Sequence, residues 1–406
     1  IIHHLLTMFS RIKKCFFNDS ELTILEIFKP LYVLLTLIGL FPCSVKFKTK
    51  HSCVIKQRSI YLNSLCAVSM ILIMLAFLAL HIRGIVLLTD SNSLTDAIIT
   101  QINYIFELQA LTVVCLVVYY CAFLYRFKYV KILNTLASLW IDLPETGDDI
   151  LKNLKLHVIK ILFSLVFVLL LQIAVNFSRS DGLWKKILVT FSFNFPQMIQ
   201  MVMLAFYYTL IIIVIALLKK IEESLKYLTK DRKSKDLFIK VDVRQSNTNL
   251  RDLEKIFVKI FDVKRNINEV FQASILVTAV QCFHAMVSEA HIIYHGVFIH
   301  QSLTTHEIIN CSIWIIYHIL KIYVLACSGS RLKTQTYKLG QILHNIPVEK
   351  QDMRSYLQHF SSMMSYQATD LTVYGYFPLD ATLMFKVIAS STMYLIIMVQ
   401  FDKKGE

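Results

Sequence analysis

The chain has 406 residues, of which 56% are hydrophobic and only 17% charged, and its mean hydropathy is +0.56. Soluble globular domains carry about 25% charged residues, so the deficit excludes an ordinary soluble protein and points to lipid as the main solvent. The net charge of +14 would suit nucleic acid or anionic lipid, but the basic residues lie between apolar blocks, which excludes a nucleic-acid partner and fits retained loops of a membrane protein.

In chain order, the first apolar block is Ile24–Cys43, and no secretory leader is evident before it. It holds Glu26, Lys29, Pro30, Gly39 and Pro42, and Pro42 is expected to end its helix. Seven stronger blocks follow: Tyr61–Leu88, Ala97–Tyr125, His157–Phe177, Ile187–Leu218, Phe271–Val297, Ile308–Gly329 and Ala381–Phe401. Each approaches the roughly 20 residues that cross a bilayer. If only these seven cross, about 33 basic residues fall on one side against about 5 on the other, as retention of basic loops in the cytosol requires. The predicted fold is therefore an all-α polytopic membrane protein with seven transmembrane helices, a cytosolic N-terminus and an extracellular C-terminus. Ile24–Cys43 becomes an N-terminal interfacial or re-entrant helix.

Four regions follow: an N-terminal segment over 1–60, a six-helix bundle over 61–330, a cytosolic helix over 331–378 and a last membrane helix over 379–406. Apolar residues at helical spacing continue past the spans at Ile221, Leu225 and Leu228, at Leu253, Ile256, Phe257, Ile260 and Phe261, and at Met353, Leu357, Phe360 and Met364. In water such stripes need partner faces, so the spans are expected to project as long helices and pack together. Residues 230–249 are polar without pattern and read as a disordered loop.

Ionisable and polar side chains inside spans are costly and mark function. Lys321, Lys386 and Glu289 stand inside spans. Asn310, Trp314, Tyr317, His318 and Lys321 form a stripe on the sixth span, and Gln281, His284, Ser288 and His291 another on the fifth. Tyr104 and Glu107 on the second span and Asn194 and Gln197 on the fourth lie at similar depth. Together they predict an outer-half cavity with aromatic walls and a few polar groups, as a small-molecule site needs. The plainer reading of any single one is interhelical hydrogen bonding. Cys66, Cys115, Cys121, Cys282, Cys311 and Cys327 lie in apolar segments and no C-x-x-C pair occurs, so they read as buried free thiols. No carboxylate–His spacing suggests a metal, and no cofactor is expected.

The C-terminal segment reads Tyr394, five apolar residues Leu395–Val399, then Gln400 and Phe401. This resembles the terminal signature of insect gustatory receptors, with Met393 where that family usually has Thr. Gly375–Phe385 (GYFPLDATLMF) and Pro30–Pro42 (PLYVLLTLIGLFP) are also similar. The resemblance implies a ligand-gated non-selective cation channel in the plasma membrane of chemosensory neurons. It implies a homotetramer or a heteromer of related receptors, with the last helices lining one pore and the cytosolic extensions forming the main subunit contact.

At about 100° per residue, Gln400 shares a face with Lys386, Ala389, Met393, Ile396 and Ile397. Gln400 and Phe401 would then close an apolar ring, a gate by dewetting. Gln400 as an interfacial polar residue and Phe401 as an aromatic-belt anchor are the plainer alternatives, and Tyr394 is expected to pack on a neighbouring helix. Lys386 fits a cation pore poorly and could turn toward Asp380.

Sugar-detecting members typically carry Glu after the motif Tyr, where Leu395 stands here; a bitter plant compound is therefore the preferred tastant and a fructose-like sugar the second. An olfactory receptor of the same superfamily is the nearest alternative. A G-protein-coupled receptor would need the opposite orientation and shows neither D-R-Y nor N-P-x-x-Y here. No paired half-repeats suggest a transporter and no clustered catalytic residues an enzyme.

An epitope fused to the C-terminus should be labelled by antibody on intact cells. Labelling that needs permeabilised cells would reverse the topology.

Overall fold

The computed structural model describes residues 23–41, 45–49, 52–55, 60–86, 98–144, 149–178, 182–235, 243–299, 303–346, 351–367 and 369–405. It is helical almost throughout: α1 Ile24–Leu37, α2 Ile60–Val86, α3 Ile98–Leu124, α4 Arg126–Asp142, α5 Asp149–Phe177, α6 Leu183–Val189, α7 Phe195–Lys235, α8 Val243–Tyr294, α9 Thr305–His344, α10 Gln351–Tyr366 and α11 Ala381–Gly405. Seven helical stretches are long and apolar enough to cross a membrane, and α1 is not among them. At 1.5 Å per residue its 14 residues reach about 21 Å, short of a bilayer core of about 30 Å.

Helices dominate because lipid offers no partner to backbone N–H and C=O groups, so each span must satisfy its own. Two antiparallel hairpins depart from the all-helical expectation: β1 Val45–Thr49 with β2 Ser52–Ile55, and β3 Thr372–Val373 with β4 Phe377–Pro378. Both lie outside the stretches able to cross a membrane.

α1 does not rest its apolar face on lipid, as an interfacial helix would. Phe28, Leu31 and Leu35 are fully buried in the bundle, with Phe28 against Phe206 at 5.7 Å, and the Tyr119 hydroxyl donates to the Ile38 carbonyl at 2.8 Å. The helix stops at Gly39 rather than at Pro42. Leu40 N donates to Leu35 O and Gly39 N to Thr36 O, while Gly39 takes φ +79°. This is the glycine-terminated end that satisfies the last carbonyls.

α7 is the central helix. Ile199, Leu210, Ile211, Ile213, Leu217 and Ile221 on it are all fully buried, whereas α2 and α5 expose apolar side chains such as Leu72, Phe163 and Phe167, as lipid-facing spans must. α7, α8 and α9 run to 41, 52 and 40 residues, about 60 to 78 Å, and so extend far beyond a bilayer core. Their projecting stripes close on one another: Leu253, Phe257, Ile260 and Phe261 on α8 are buried together with Leu357, Phe360 and Met364 on α10, and Phe257 meets Phe360 edge-on at 5.5 Å.

The apolar periodicity is therefore satisfied within one chain and does not call for a partner subunit. Leu228 and Met353 lie outside the residues whose side chains are described. The loop expected over 230–249 is shorter than its composition suggested. α7 runs to Lys235 and α8 begins at Val243, leaving 236–242 outside the described residues.

The β3–β4 hairpin fixes the start of α11. Lys264 Nζ donates to Asp370 O at 2.9 Å and Asn268 Nδ2 to Thr372 O at 2.8 Å. Lys333 pairs with the Asp370 carboxylate at 3.0 Å, and Leu379 N donates to Leu371 O at 2.7 Å. Gly329 on α9 permits the final approach, because a Cβ there would sit 1.7 Å from the Leu379 carbonyl oxygen.

Asp380 then caps α11. Its carboxylate accepts from Thr382 N at 2.9 Å and Thr382 Oγ1 at 2.5 Å, which holds its pKa below the ordinary carboxylate value. Asp380 is thus engaged with Thr382, and Lys386 is exposed and does not turn back to it.

Gly329→Leu should lower the thermal midpoint of the purified protein through overpacking, worth about 1–3 kcal/mol. Gly182→Ala, where an added Cβ meets nothing within 4 Å, should lower it less, by no more than the loss of a favoured N-cap residue.

Candidate functional site

The sixth apolar block places Trp314, Tyr317, His318 and Lys321 along α9, and all four are buried. Their spacing of three and four residues sets them on one helix face. Trp314 meets Phe193 edge-on at 4.9 Å and Tyr317 at 5.5 Å, and Tyr317 meets His318 at 5.5 Å. Ile85, Leu108, Leu111 and Phe193 complete this aromatic and apolar cluster, with Tyr104 packed against it. Such rings supply large contact area with defined geometry.

Lys321 organises the polar half. Its ammonium is fully buried, donates to Gln197 Oε1 at 2.6 Å and to Gln200 Oε1 at 2.5 Å, and lies 4.5 Å from the centre of the Tyr317 ring. Gln200 Nε2 in turn donates to Gln281 Oε1 at 3.2 Å, and the Tyr317 hydroxyl donates to the Gln197 carbonyl at 3.3 Å. Glu107 on α3 is buried and close enough to feel the charges of Lys321 and Glu289.

Hydrogen bonds thus link α9 through one buried cation to α7 and on to α8, with Glu107 of α3 nearby. A buried charge survives only with such partners, and both a cation and a π-face are present here.

The structure brings Trp314, Tyr317, His318, Gln197, Gln281, Glu107 and Tyr104 into this assembly. Asn194 stands next to Phe193 in a π-helical turn, Thr190–Asn194, that precedes α7. His284 and Ser288 share the Gln281 face of α8 within about 60°, yet no described contact ties them to the cluster.

Several of these residues bury a polar atom that meets no protein partner: Glu107 Oε1, Asn194 Nδ2 and Oδ1, Gln197 Nε2, Gln281 Nε2, His284 Nδ1, Ser288 Oγ and both His318 ring nitrogens. Buried polar atoms are nearly always satisfied by protein or water. Together with the aromatic walls, these atoms offer hydrogen-bond donors and acceptors that a polar or amphipathic small molecule could use.

Sequence reasoning missed Gln200 and Phe193. Gln200 carries a signal, since it lies one turn from Gln197 in an otherwise apolar run. Phe193 carries none, because the π-helical turn that aims it at Trp314 leaves no mark in periodicity. Among the described residues no cluster of His, Cys, Asp and Glu could hold a metal. The six cysteines assigned to apolar segments are free thiols.

On α11, the side chains of Leu383, Val387, Ser391 and Met398 turn to the bundle, and Tyr394, at the edge of that face and 50% accessible, meets Phe283 of α8 at 6.1 Å. Lys386, Met393, Ile396, Ile397 and Gln400 turn the other way and are exposed; Met393 is 67% and Ile396 53% accessible. The side chain of Phe401 lies outside the described residues.

Lys321→Met strips two buried amide oxygens of their donor. It should cost about 1–3 kcal/mol, read as a lower thermal midpoint and reduced monodisperse yield. An unchanged midpoint would mean that the glutamines are not held by the ammonium.

Residues 28–405 match the family model described as 7tm Chemosensory receptor. The chain is 26% identical over 93 residues to Gustatory and pheromone receptor 32a of Drosophila melanogaster, which is 23% of this chain and 20% of that protein. It is 22% identical over 159 residues to Gustatory receptor 68a of the same species, 38% of this chain and 41% of that protein. The chain therefore spans less than half the length of these curated relatives. In fold it is similar to the insect olfactory receptor OR5 from Machilis hrabei, at a TM-score of 0.68 and 13% identity, covering 92% of this chain and 97% of that one. It is also similar to that receptor in complex with eugenol, at a TM-score of 0.66 and 14% identity over the same shares. With a family match across nearly all of its length and seven helices able to cross a membrane, the chain belongs to the 7tm chemosensory receptor family and is a multi-pass membrane protein, not an enzyme.

Proposed function

We propose that this protein is an insect gustatory receptor that works as a ligand-gated non-selective cation channel. In this reading the α9 cluster binds a small tastant and α11 lines the pore. The observation that carries it is the division of α11 into two faces. One face packs on α8 and α9, while Met393, Ile396, Ile397 and Gln400 lie on the opposite side without a partner in the chain. Around a symmetry axis, those residues would meet their copies in a homotetramer or a heteromer of related subunits, and Gln400 with Phe401 would close the pore by dewetting.

Charge asymmetry supports a cytosolic N-terminus and an extracellular C-terminus in the plasma membrane of a chemosensory neuron. In that orientation the α9 cluster lies in the outer half of the bundle and the projections of α7, α8 and α9 lie in the cytosol. The gustatory assignment is supported by the Tyr394–Phe401 signature and by the two gustatory relatives. An olfactory receptor is the second reading, favoured by the OR5 fold.

A bitter plant compound is the preferred ligand. The aromatic wall of Trp314, Tyr317 and Phe193 suits it, and a relative of the same fold is described in complex with eugenol. The unsatisfied polar atoms around His318 and Gln281 favour a fructose-like sugar as the second.

A calcium-flux screen of plant alkaloids and sugars in cells expressing this chain should return an agonist. Trp314→Ala should then raise its half-maximal concentration about tenfold or more with ion selectivity unchanged, whereas Gln400→Ala should alter basal current or selectivity. Normal leak and evoked currents in Gln400→Ala would remove α11 from the pore.

A further inference from the structure

A cleft lies at the basic end of the bundle, lined by none of the residues of the α9 cluster. It has a volume of about 540 Å³ and is bounded by α5, α7 and α9. Its mouth carries Lys219 of α7, Arg331 and Lys338 of α9 and His157 of α5, with the carboxylates of Asp149 and Glu223 beside them. Its floor is apolar, made by Leu154, Ile212 and Ala216 among others.

The position matters as much as the charges. Lys219 directly follows the apolar run of α7 that ends at Leu218, and Arg331 lies two residues beyond Gly329, where the apolar run of α9 ends. His157 opens the apolar run of α5. Three spans therefore pass from lipid-compatible to charged sequence at one level, which is where a headgroup layer sits.

The cations are poised for an anion. His157 lies within the fields of Arg331, Lys160 and Lys219. Arg331 Nη1 donates to the Tyr208 hydroxyl at 2.8 Å, which fixes the guanidinium at the mouth and leaves its remaining donors available. Among the described residues, Lys219, Arg331 and Lys338 form no ion pair with a carboxylate. Three permanent positive charges share the opening with the carboxylates of Asp149 and Glu223, and Glu222, which accepts from the lining Gln335 at 2.6 Å, lies in the field of Lys338, so the cations can hold phosphates while carboxylates stand beside them. The two carboxylates are poor neighbours for phosphate but good acceptors for hydroxyls.

We propose that this cleft binds the headgroup of a phosphoinositide from the adjoining leaflet. Arg331, Lys219 and Lys338 hold its phosphates, Asp149 and Glu223 accept from its ring hydroxyls, and the apolar floor takes the start of an acyl chain. Basic pockets between spans at the cytoplasmic surface recognise such lipids. The assignment rests on the cleft and on the proposed orientation that puts this end of the bundle in the cytosol; it stands or falls apart from the tastant and the pore.

The test uses the full purified chain reconstituted in phosphatidylcholine vesicles with a small fraction of phosphatidylinositol bisphosphate, followed by native mass spectrometry of lipid retained after extraction. The expected result is one retained phosphoinositide per chain that excess phosphatidylserine does not displace. R331Q/K338Q should weaken retention about tenfold or more. K255Q, an exposed lysine elsewhere on α8, should not.

If R331Q/K338Q loses its elution profile, K219Q carries the same comparison. Equal retention in the cleft variants overturns the proposal, as does equal loss in K255Q or equal retention of phosphatidylserine. Displacement by soluble inositol trisphosphate at comparable concentration also overturns it, since the ligand would then be a free anion and not a lipid.

Discussion

The arrangement of the bundle depends on one buried ammonium. Lys321 has no exposed surface, and a cation in that position is tolerable only while oxygens and a ring face surround it. Gln197 and Gln200 supply the oxygens and Tyr317 the ring. Because both glutamines are on α7, the contact fixes the register of α9 against the central helix, and the Gln200–Gln281 bond extends that register to α8. A slip by one turn, about 5.4 Å, would strand the charge. The depth at which Trp314 and Tyr317 face Phe193 is thus a consequence of where the charge can be satisfied.

A second constraint acts at the other end of α9. Gly329 admits the Leu379 carbonyl where any Cβ would collide, and Lys264, Asn268 and Lys333 tie down the hairpin that precedes α11. These contacts aim α11 along α8 and α9 with only one of its faces covered. The exposed apolar face is therefore imposed by how the chain enters the helix and is not left over from loose packing. In lipid such a face costs little, so the same surface is compatible with a free chain and with an assembled pore.

Much of the fold was legible in the sequence because the bilayer simplifies the code. Length and hydropathy marked eight candidate blocks, charge placement left seven as spans, and the structure has seven stretches of that kind. Charge excluded Ile24–Cys43 as an eighth, and its helix is indeed too short. What the sequence hid was of two kinds. Backbone devices such as the π-helical turns at Thr190–Asn194 and His295–Ile299 change the facing of side chains without changing composition. Partner choice was also hidden. The stripes on α8 and α10 announced that something must cover them, but periodicity cannot say whether the cover comes from the same chain, and Phe257 and Phe360 show that it does. At the α9 site the ionisable and aromatic residues stood out as misfits in apolar runs, whereas Gln200 and Phe193 became visible only once α7 was placed beside α9.

The two constraints sit on the same helix, and that links the site to α11. Lys321 and Gly329 are eight residues apart on α9, about 12 Å along the axis, with no break in the helix between them. α8 makes a parallel connection, carrying Gln281 in the polar cluster and Phe283, two residues on, against Tyr394 of α11. On the proposed channel reading, a ligand that wedges Trp314 and Tyr317 away from Phe193 would displace α9 as a rigid rod. Where that motion carries α9 toward the hairpin, the Leu379 carbonyl lodged against Gly329 is pushed with it, because the gap there admits no added atom. Coupling of this kind requires two helices with more than one arrangement against their neighbours. The Lys321–glutamine contact offers that, since a ligand oxygen can replace a glutamine oxygen without leaving the charge unsatisfied.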